Sequence, residues 1–246
     1  MPPSPLRPEV TLAPGGRGSD VADAAQFGVR LAQEIDSRAW QLVRVGGRLD
    51  LRAPGDNHAL HLDLRQGPLA RRLRSARVDE PLPRACGLHR RTDAPTVLDA
   101  TAGLCRDAMV LAHLGCRVTA LERVPALALL AHEAIAASWL AERLRVVCAD
   151  ALTWFAGSPK ESHDIVCLDP MFEAPGKAQV KRDMQICRQL AGPPDDGGEL
   201  LAAARRHARE RVVVKRAVDG APLHPDVSFS VSGERVRFDV YLTAPR

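Results

Sequence analysis

Aromatic residues are scarce in this chain, at 4 %, with a single tyrosine. A core must therefore be assembled from Leu, Val, Ala and Ile. With 246 residues, 46 % of them apolar, there is enough for one sizeable α/β domain and a smaller appendage. Lysine is nearly missing: Lys160, Lys177, Lys181 and Lys215 are the only lysines among 34 cationic side chains. The arginine bias reads first as base composition, although guanidinium groups also suit phosphate contact. No apolar run approaches the roughly 18 residues of a membrane-spanning helix, and the N-terminus lacks the apolar stretch of a secretory signal. The six cysteines, at 86, 105, 116, 148, 167 and 187, form no C-x-x-C pair. Neither a disulfide framework nor a metal site is expected. The expectation is a cytoplasmic protein with buried, reduced thiols, no metal and no membrane partner.

What is present begins with residues 1–18, which carry five prolines and three glycines. They read as a mobile leader with one short strand at 9–13. Residues 20–36 follow a helical apolar period, with Ser19 or Asp20 as cap. Alternating runs at 40–45 and 48–52, joined by Gly46-Gly47, signal a hairpin, and a third such run spans 58–64. The next segment, 65–91, sets eight arginines against Asp79 and Glu80, a local charge of +6 in a chain whose whole formal charge is +4. It is either a solvated arginine-rich surface or a contact for a polyanion. Residues 19–95 thus form a small N-terminal α/β unit ending in a basic segment.

From residue 96 the pattern alternates between strand and helix: strands at 97–98, 117–121, 144–147, 164–168 and 211–215, helices at 105–114, 125–143, 178–190 and 199–210, and β-rich runs at 226–231 and 236–242. This predicts an α/β fold, a Rossmann-like parallel sheet over 96–246. Ligands of such sheets lie beyond the carboxyl ends of the strands. Asp99, Glu122, Asp150 and Asp169 end four successive strands on that rim. Each alone is an ordinary turn residue; four in order point to a nucleoside-containing ligand. The loop DATAGLCRD at 99–107 has Gly103 as its only glycine, which argues against a pyrophosphate and its demand for several close backbone N–H groups. Glu122, 19 residues beyond Gly103, stands where an acidic residue grips ribose hydroxyls. Asp150 is placed either to recognise an adenine amino group or to cap a helix.

The most specific signal is LDPMF at 168–172. It resembles the D-P-P-[FY] or N-P-P-[FY] tetrad of enzymes that methylate exocyclic amines, and the 99–107 loop resembles the cofactor loop of class I methyltransferases. A carboxylate at Asp169 accepting one N–H holds a poorly nucleophilic amine in line for transfer. Pro170 stiffens the turn and Phe172 offers a stacking face for an extruded base. The alternative is a strand-ending Asp-Pro turn with a core Phe.

With VLDATAGLCRD (97–107), GCRVTALER (115–123), LDPMF, QLAGP (189–193), VVVKR (212–216) and RFDVYLT (237–243), the chain resembles the ribosomal RNA small subunit methyltransferase J family from about residue 20 onward. The resemblance implies a class I fold, S-adenosylmethionine as cofactor, and transfer to the 2-amino group of a guanine in 16S ribosomal RNA, free or in the small subunit. It implies cofactor contacts at Arg106, Asp107, Glu122, Arg123, Asp150, Ala151 and Asp169. Asp99 is read as supporting the loop. The family usually has Gly where Cys105 stands, and here the basic segment keeps its arginines but few glycines. Arg71, Arg72, Arg74, Lys177, Lys181 and Arg182 are the expected phosphate contacts. Rival readings are a nicotinamide-dependent oxidoreductase on the same fold, an RNA-binding assembly factor without catalysis, and a methyltransferase acting on DNA adenine or a small molecule.

Overall fold

The computed structural model describes residues 7–170, 182–192 and 197–243. The N-terminal unit comprises β1 (Val10–Leu12), α1 (Gly18–Phe27), β2 (Arg30–Leu31), β3 (Trp40–Val45), β4 (Arg48–Arg52) and β5 (Ala59–Leu60). Its sheet runs β2-β1-β3-β4-β5, so β1 pairs on both sides. The second half of the expected leader is thus built into a sheet, while residues 1–6 lie outside the described residues. The β3–β4 hairpin closes on Gly46 and Gly47, both at positive φ, as a tight turn matching strand twist requires.

Two N-terminal expectations need correcting. The helix read over 20–36 stops at Phe27, because Gly28 takes a left-handed conformation (φ 73°) whose N–H closes back on Ala24 and Ala25. Apolar residues beyond it, which continued the helical period, leave Leu31 and Ile35 exposed instead. The run at 58–64 pairs only through Ala59–Leu60, since the Asp63 carboxylate accepts the N–H groups of Arg65 and Gln66 and turns the chain. The arginine-rich segment then folds into α2 (Gly67–Arg74), α3 (Pro81–Ala85) and a 3-10 turn at Leu88–Arg90. Leu73 and Leu82 face inward and most of the arginines face out.

The larger unit follows as β6 (Thr96–Asp99), α4 (Arg106–His113), β7 (Arg117–Glu122), α5 (Pro125–Ala136), β8 (Leu144–Cys148), α6 (Ala151–Gly157), β9 (His163–Leu168), α7 (Arg182–Ala191), α8 (Gly197–His207), β10 (Ala208–Ala217), β11 (Phe229–Ser232) and β12 (Val236–Leu242). The helix read over 125–143 ends seven residues early, where the N–H groups of Ala137 and Ser138 close the last turn. The sheet order is β11-β12-β10-β9-β6-β7-β8. Strands β10 through β8 are parallel and β12 runs antiparallel to β10. Alternate residues of each strand enter different layers. Val97, Val118, Ile165 and Val213 join the core under α4 and α5; Leu98, Leu121, Val166 and Val212 join the layer under α6 and α8. Both faces are covered, as a parallel sheet requires. The first strand, β6, sits mid-sheet between β7 and β9, so the chain's direction of winding reverses at the β6–β9 boundary, and a crevice opens there.

Candidate active site

The ends of β6, β7, β8 and β9 converge on a cleft of about 640 Å³, counting its open mouth. Its walls include Ala100, Thr101 and Gly103 after β6, Glu122 and Arg123 at the end of β7, Asp150 and Ala151 entering α6, and Asp169-Pro170 after β9. Cys187 and Ala191 of α7 close one side, and Leu121 and Leu127 add apolar surface.

The loop after β6 holds its shape through backbone contacts. Ala102 N–H donates to Leu121 O at 2.9 Å, and Gly103 and Cys105 both take left-handed conformations, at φ 53° and 56°. For a residue with a Cβ this costs about 1–2 kcal/mol. Cys105 thus carries a backbone conformation that favours glycine. Glu122 is buried; its Oε1 accepts the Val124 N–H at 2.7 Å. Burial raises its pKa, and hydrogen bonds from the Val124 and Gly103 N–H groups oppose the rise. Arg123 reaches across the cleft to donate to Ala191 O at 3.0 Å. Asp150 does cap α6, accepting the Thr153 N–H at 3.0 Å, while still lining the cleft.

Asp169 is anchored twice. Its N–H donates to Thr101 Oγ1 at 2.6 Å, and its carboxylate accepts from Lys215 Nζ at 2.9 Å. Loss of hydration raises its pKa, opposed by Lys215 and reinforced by Asp107. With 48 % of the side chain still exposed, solvent screens that shift and no stability is attached to it. Beneath it, the buried Asp99 carboxyl is pushed up to about 8, first by burial and then by the charge of Asp107. Thr101 N–H, at 3.4 Å, is its one hydrogen-bond donor among the described residues.

Glu122, Arg123, Asp150, Ala151, Asp169 and Pro170 are thus brought together. Arg106 and Asp107 stand apart from the cleft lining. Arg106 donates to Asp183 of α7 at 2.6 Å, and that carboxylate also meets His58 of the N-terminal unit at 3.0 Å. Asp107 pairs with Lys215 at 2.9 Å. On the basic segment, Arg71 and Arg74 are exposed on α2, while Arg72 pairs with Glu80 at 2.5 Å. Arg182 is held by Asp56 at 2.8 Å. Phe172, Lys177 and Lys181 lie outside the described residues. Sequence reasoning assigned no role to Thr101 or Lys215; the signal for Lys215 was a cation ending the strand of VVVKR.

Among the described residues, no helix is long and apolar enough to cross a membrane, and no group of three or more His, Cys, Asp or Glu side chains is placed to hold a metal ion.

Comparison with known proteins agrees with this architecture. Residues 24–243 match the family profile described as "Putative SAM-dependent methyltransferase". The ribosomal RNA small subunit methyltransferase J of Laribacter hongkongensis is 41 % identical over 233 residues, covering 90 % of this chain and 82 % of the relative. That of Alkalilimnicola ehrlichii is 43 % identical over 210 residues, covering 78 % of each. The crystal structure of a SAM-dependent methyltransferase from Neisseria gonorrhoeae superposes with a TM-score of 0.74 at 29 % identity, covering 95 % of both chains. With this fold and these relatives, the chain belongs to the SAM-dependent methyltransferase family that contains the ribosomal RNA small subunit methyltransferases J.

Proposed function

We propose that this chain methylates the exocyclic 2-amino group of a guanosine in small-subunit ribosomal RNA. The observation that carries the reading is the Asp169-Pro170 corner: a half-exposed carboxylate, fixed through its backbone by Thr101, forming one wall of the cleft at the strand ends. The relatives named ribosomal RNA small subunit methyltransferase J support RNA as the substrate.

The cleft suits S-adenosylmethionine by its chemistry. Three carboxylates and one guanidinium line it together with apolar Leu121 and Leu127, a set matched to a cationic adenosyl compound rather than to a pyrophosphate. Glu122, at the end of β7, would accept the ribose hydroxyls, and Asp150 and Ala151 would border the adenine. When bound, the cofactor supplies an electrophilic methyl group. Asp169 accepts a hydrogen bond from the guanine amine, orients the nitrogen, compensates the positive charge that develops as the new bond forms, and takes the proton that the methylated nitrogen then sheds. Phe172 is the proposed stacking face for the base. Arg71, Arg72 and Arg74 of α2, with Lys177, Lys181 and Arg182, are the proposed phosphate contacts, Arg72 and Arg182 by exchanging their present carboxylate partners.

The test uses small subunits from a strain lacking this protein, radiolabelled cofactor and nucleoside analysis of the digested RNA. N2-methylguanosine is the expected product; label in another nucleoside, or none, overturns the substrate assignment. Asp169→Ala should lower kcat at least about a hundredfold while RNA affinity stays within normal scatter. Retained activity would remove Asp169 from its role.

A further inference from the structure

Lys215 is the only lysine among the described residues that bridges two carboxylates, and neither the sequence motif nor the proposed reaction accounts for it. Its place follows from sheet register. Strand β10 runs parallel to β9 with Val214 opposite Leu168, so the next residue of each, Lys215 and Asp169, arrives at the same rim. Lys215 Nζ lies 2.9 Å from Asp169 Oδ2 and 2.9 Å from Oδ2 of Asp107, in the first turn of α4. Behind this bridge is a small, mostly apolar pocket, in which Leu82, Leu111, Val213 and Phe238 surround Asp99, Asp107, Asp169 and Lys215. Asp169 therefore stands between the cleft and this pocket.

Three carboxylates and one ammonium border that pocket, two of the carboxylates, Asp107 and Asp169, being paired with Lys215. Without the cation, like charges so close would drive protons onto the acids, and a protonated Asp169 would be a poor acceptor for an amine hydrogen. Among the described residues, Lys215 bonds one Asp169 oxygen and no side chain bonds the other. We propose that Lys215 is a positioning residue for methyl transfer: braced by Asp107, it keeps the Asp169 carboxylate ionised and fixed in place, with its second oxygen as the acceptor for the substrate amine. This rests on the reading of Asp169 given above. The charged groups facing Asp169 are Asp99 from β6, Asp107 from α4 and Lys215 from β10, with Glu122, Arg123 and Asp150 across the cleft. Burial opposes the charge on Lys215, but its two carboxylate partners outweigh that and raise its pKa, so it stays cationic through the working range.

The sign of each substitution follows. Lys215→Met removes the compensating cation and should raise the Asp169 midpoint by about one pH unit or more. Asp107→Asn removes a repelling anion and should move it down. Lys215→Arg keeps the charge and should stay near the unsubstituted protein. The direct measurement is a 13C-carboxyl NMR titration of aspartate in the full chain without cofactor, paired with kcat against pH at saturating cofactor and small subunits. The acid limb of Lys215→Met should move upward, with kcat on that limb falling roughly tenfold for each pH unit it moves and recovering in alkali. Cofactor affinity should hold. If Lys215→Met leaves both midpoint and acid limb unmoved, or if Asp107→Asn moves the midpoint upward, the proposal is overturned. Should Lys215→Met fail to fold, Lys215→Gln, which keeps a hydrogen-bond donor and lacks the charge, carries the test, with the same upward movement expected and an unmoved midpoint overturning the proposal. An active Asp169→Ala would instead strike the underlying reading, a result the NMR midpoints keep separate.

Discussion

Asp99 shows how the environment of one residue sets a property of the whole protein. Its carboxyl is buried and pushed up to about 8, against an ordinary value of 3.8. The folded state therefore holds a proton that the unfolded chain releases. That contribution to stability is full below the unfolded value and is lost as pH rises through the folded one. Between pH 6.5 and 8 the loss from this group amounts to at most about 2 kcal/mol. Glu122, whose pKa burial also raises, acts in the same sense. His163, whose pKa burial lowers, acts in the opposite sense but only below about its ordinary 6.5. Urea unfolding of Asp99→Asn should show a smaller loss over that interval than the unsubstituted protein, and an equal slope would mean that Asp99 is ionised in the fold. Asp99 was legible in the sequence as a strand-ending acid, but its protonation was not, because desolvation depends on which layers close over β6.

At the scale of elements, strands and hairpins were the most readable parts. The run at 40–52 with its two glycines gives β3 and β4 as expected, and β12 occupies 236–242 as read, because alternation and turn chemistry are local. The helical period through 20–36 misled, since a single left-handed glycine at 28 outweighs the continuing apolar pattern. The basic segment gave no helical reading, yet α2 forms with Leu73 buried and Arg71 and Arg74 outside. One helix thus presents a cationic edge to solvent. If that edge meets phosphates, Arg71→Glu combined with Arg74→Glu should weaken RNA binding. Each lost phosphate contact should flatten the slope of log affinity against log salt by roughly one, less for single-stranded RNA. Filter binding over a salt series reads this directly, and an unchanged slope would place the RNA on another face.

At the scale of the molecule, the two units are tied by a buried ion cluster. Arg44 of β3 donates to Asp20 of α1 and, at 2.6 Å, to Glu133 of α5, and only 10 % of its side chain is exposed. Phe27 packs against His132 beside it. Arg44→Met should cost about 3–5 kcal/mol, because it leaves two enclosed carboxylates without their cation. In calorimetry the melting temperature should fall by roughly 10 °C; a drop of only a degree or two would mean that water already screens the cluster. The same scale separates what could be read from what could not. Neighbours along the chain were enough to specify the parallel sheet, the order of acids along its rim and the LDP corner, because period, turn residues and strand ends are local properties. Long-range packing alone settled that Arg106 turns to Asp183, that Arg182 is held by Asp56, and that Lys215 stands between Asp107 and Asp169. Those pairings join residues 46 to 126 positions apart. Charge attracts through space, and only the folded register of β9 and β10, and the docking of α7 on the N-terminal unit, bring such partners within reach.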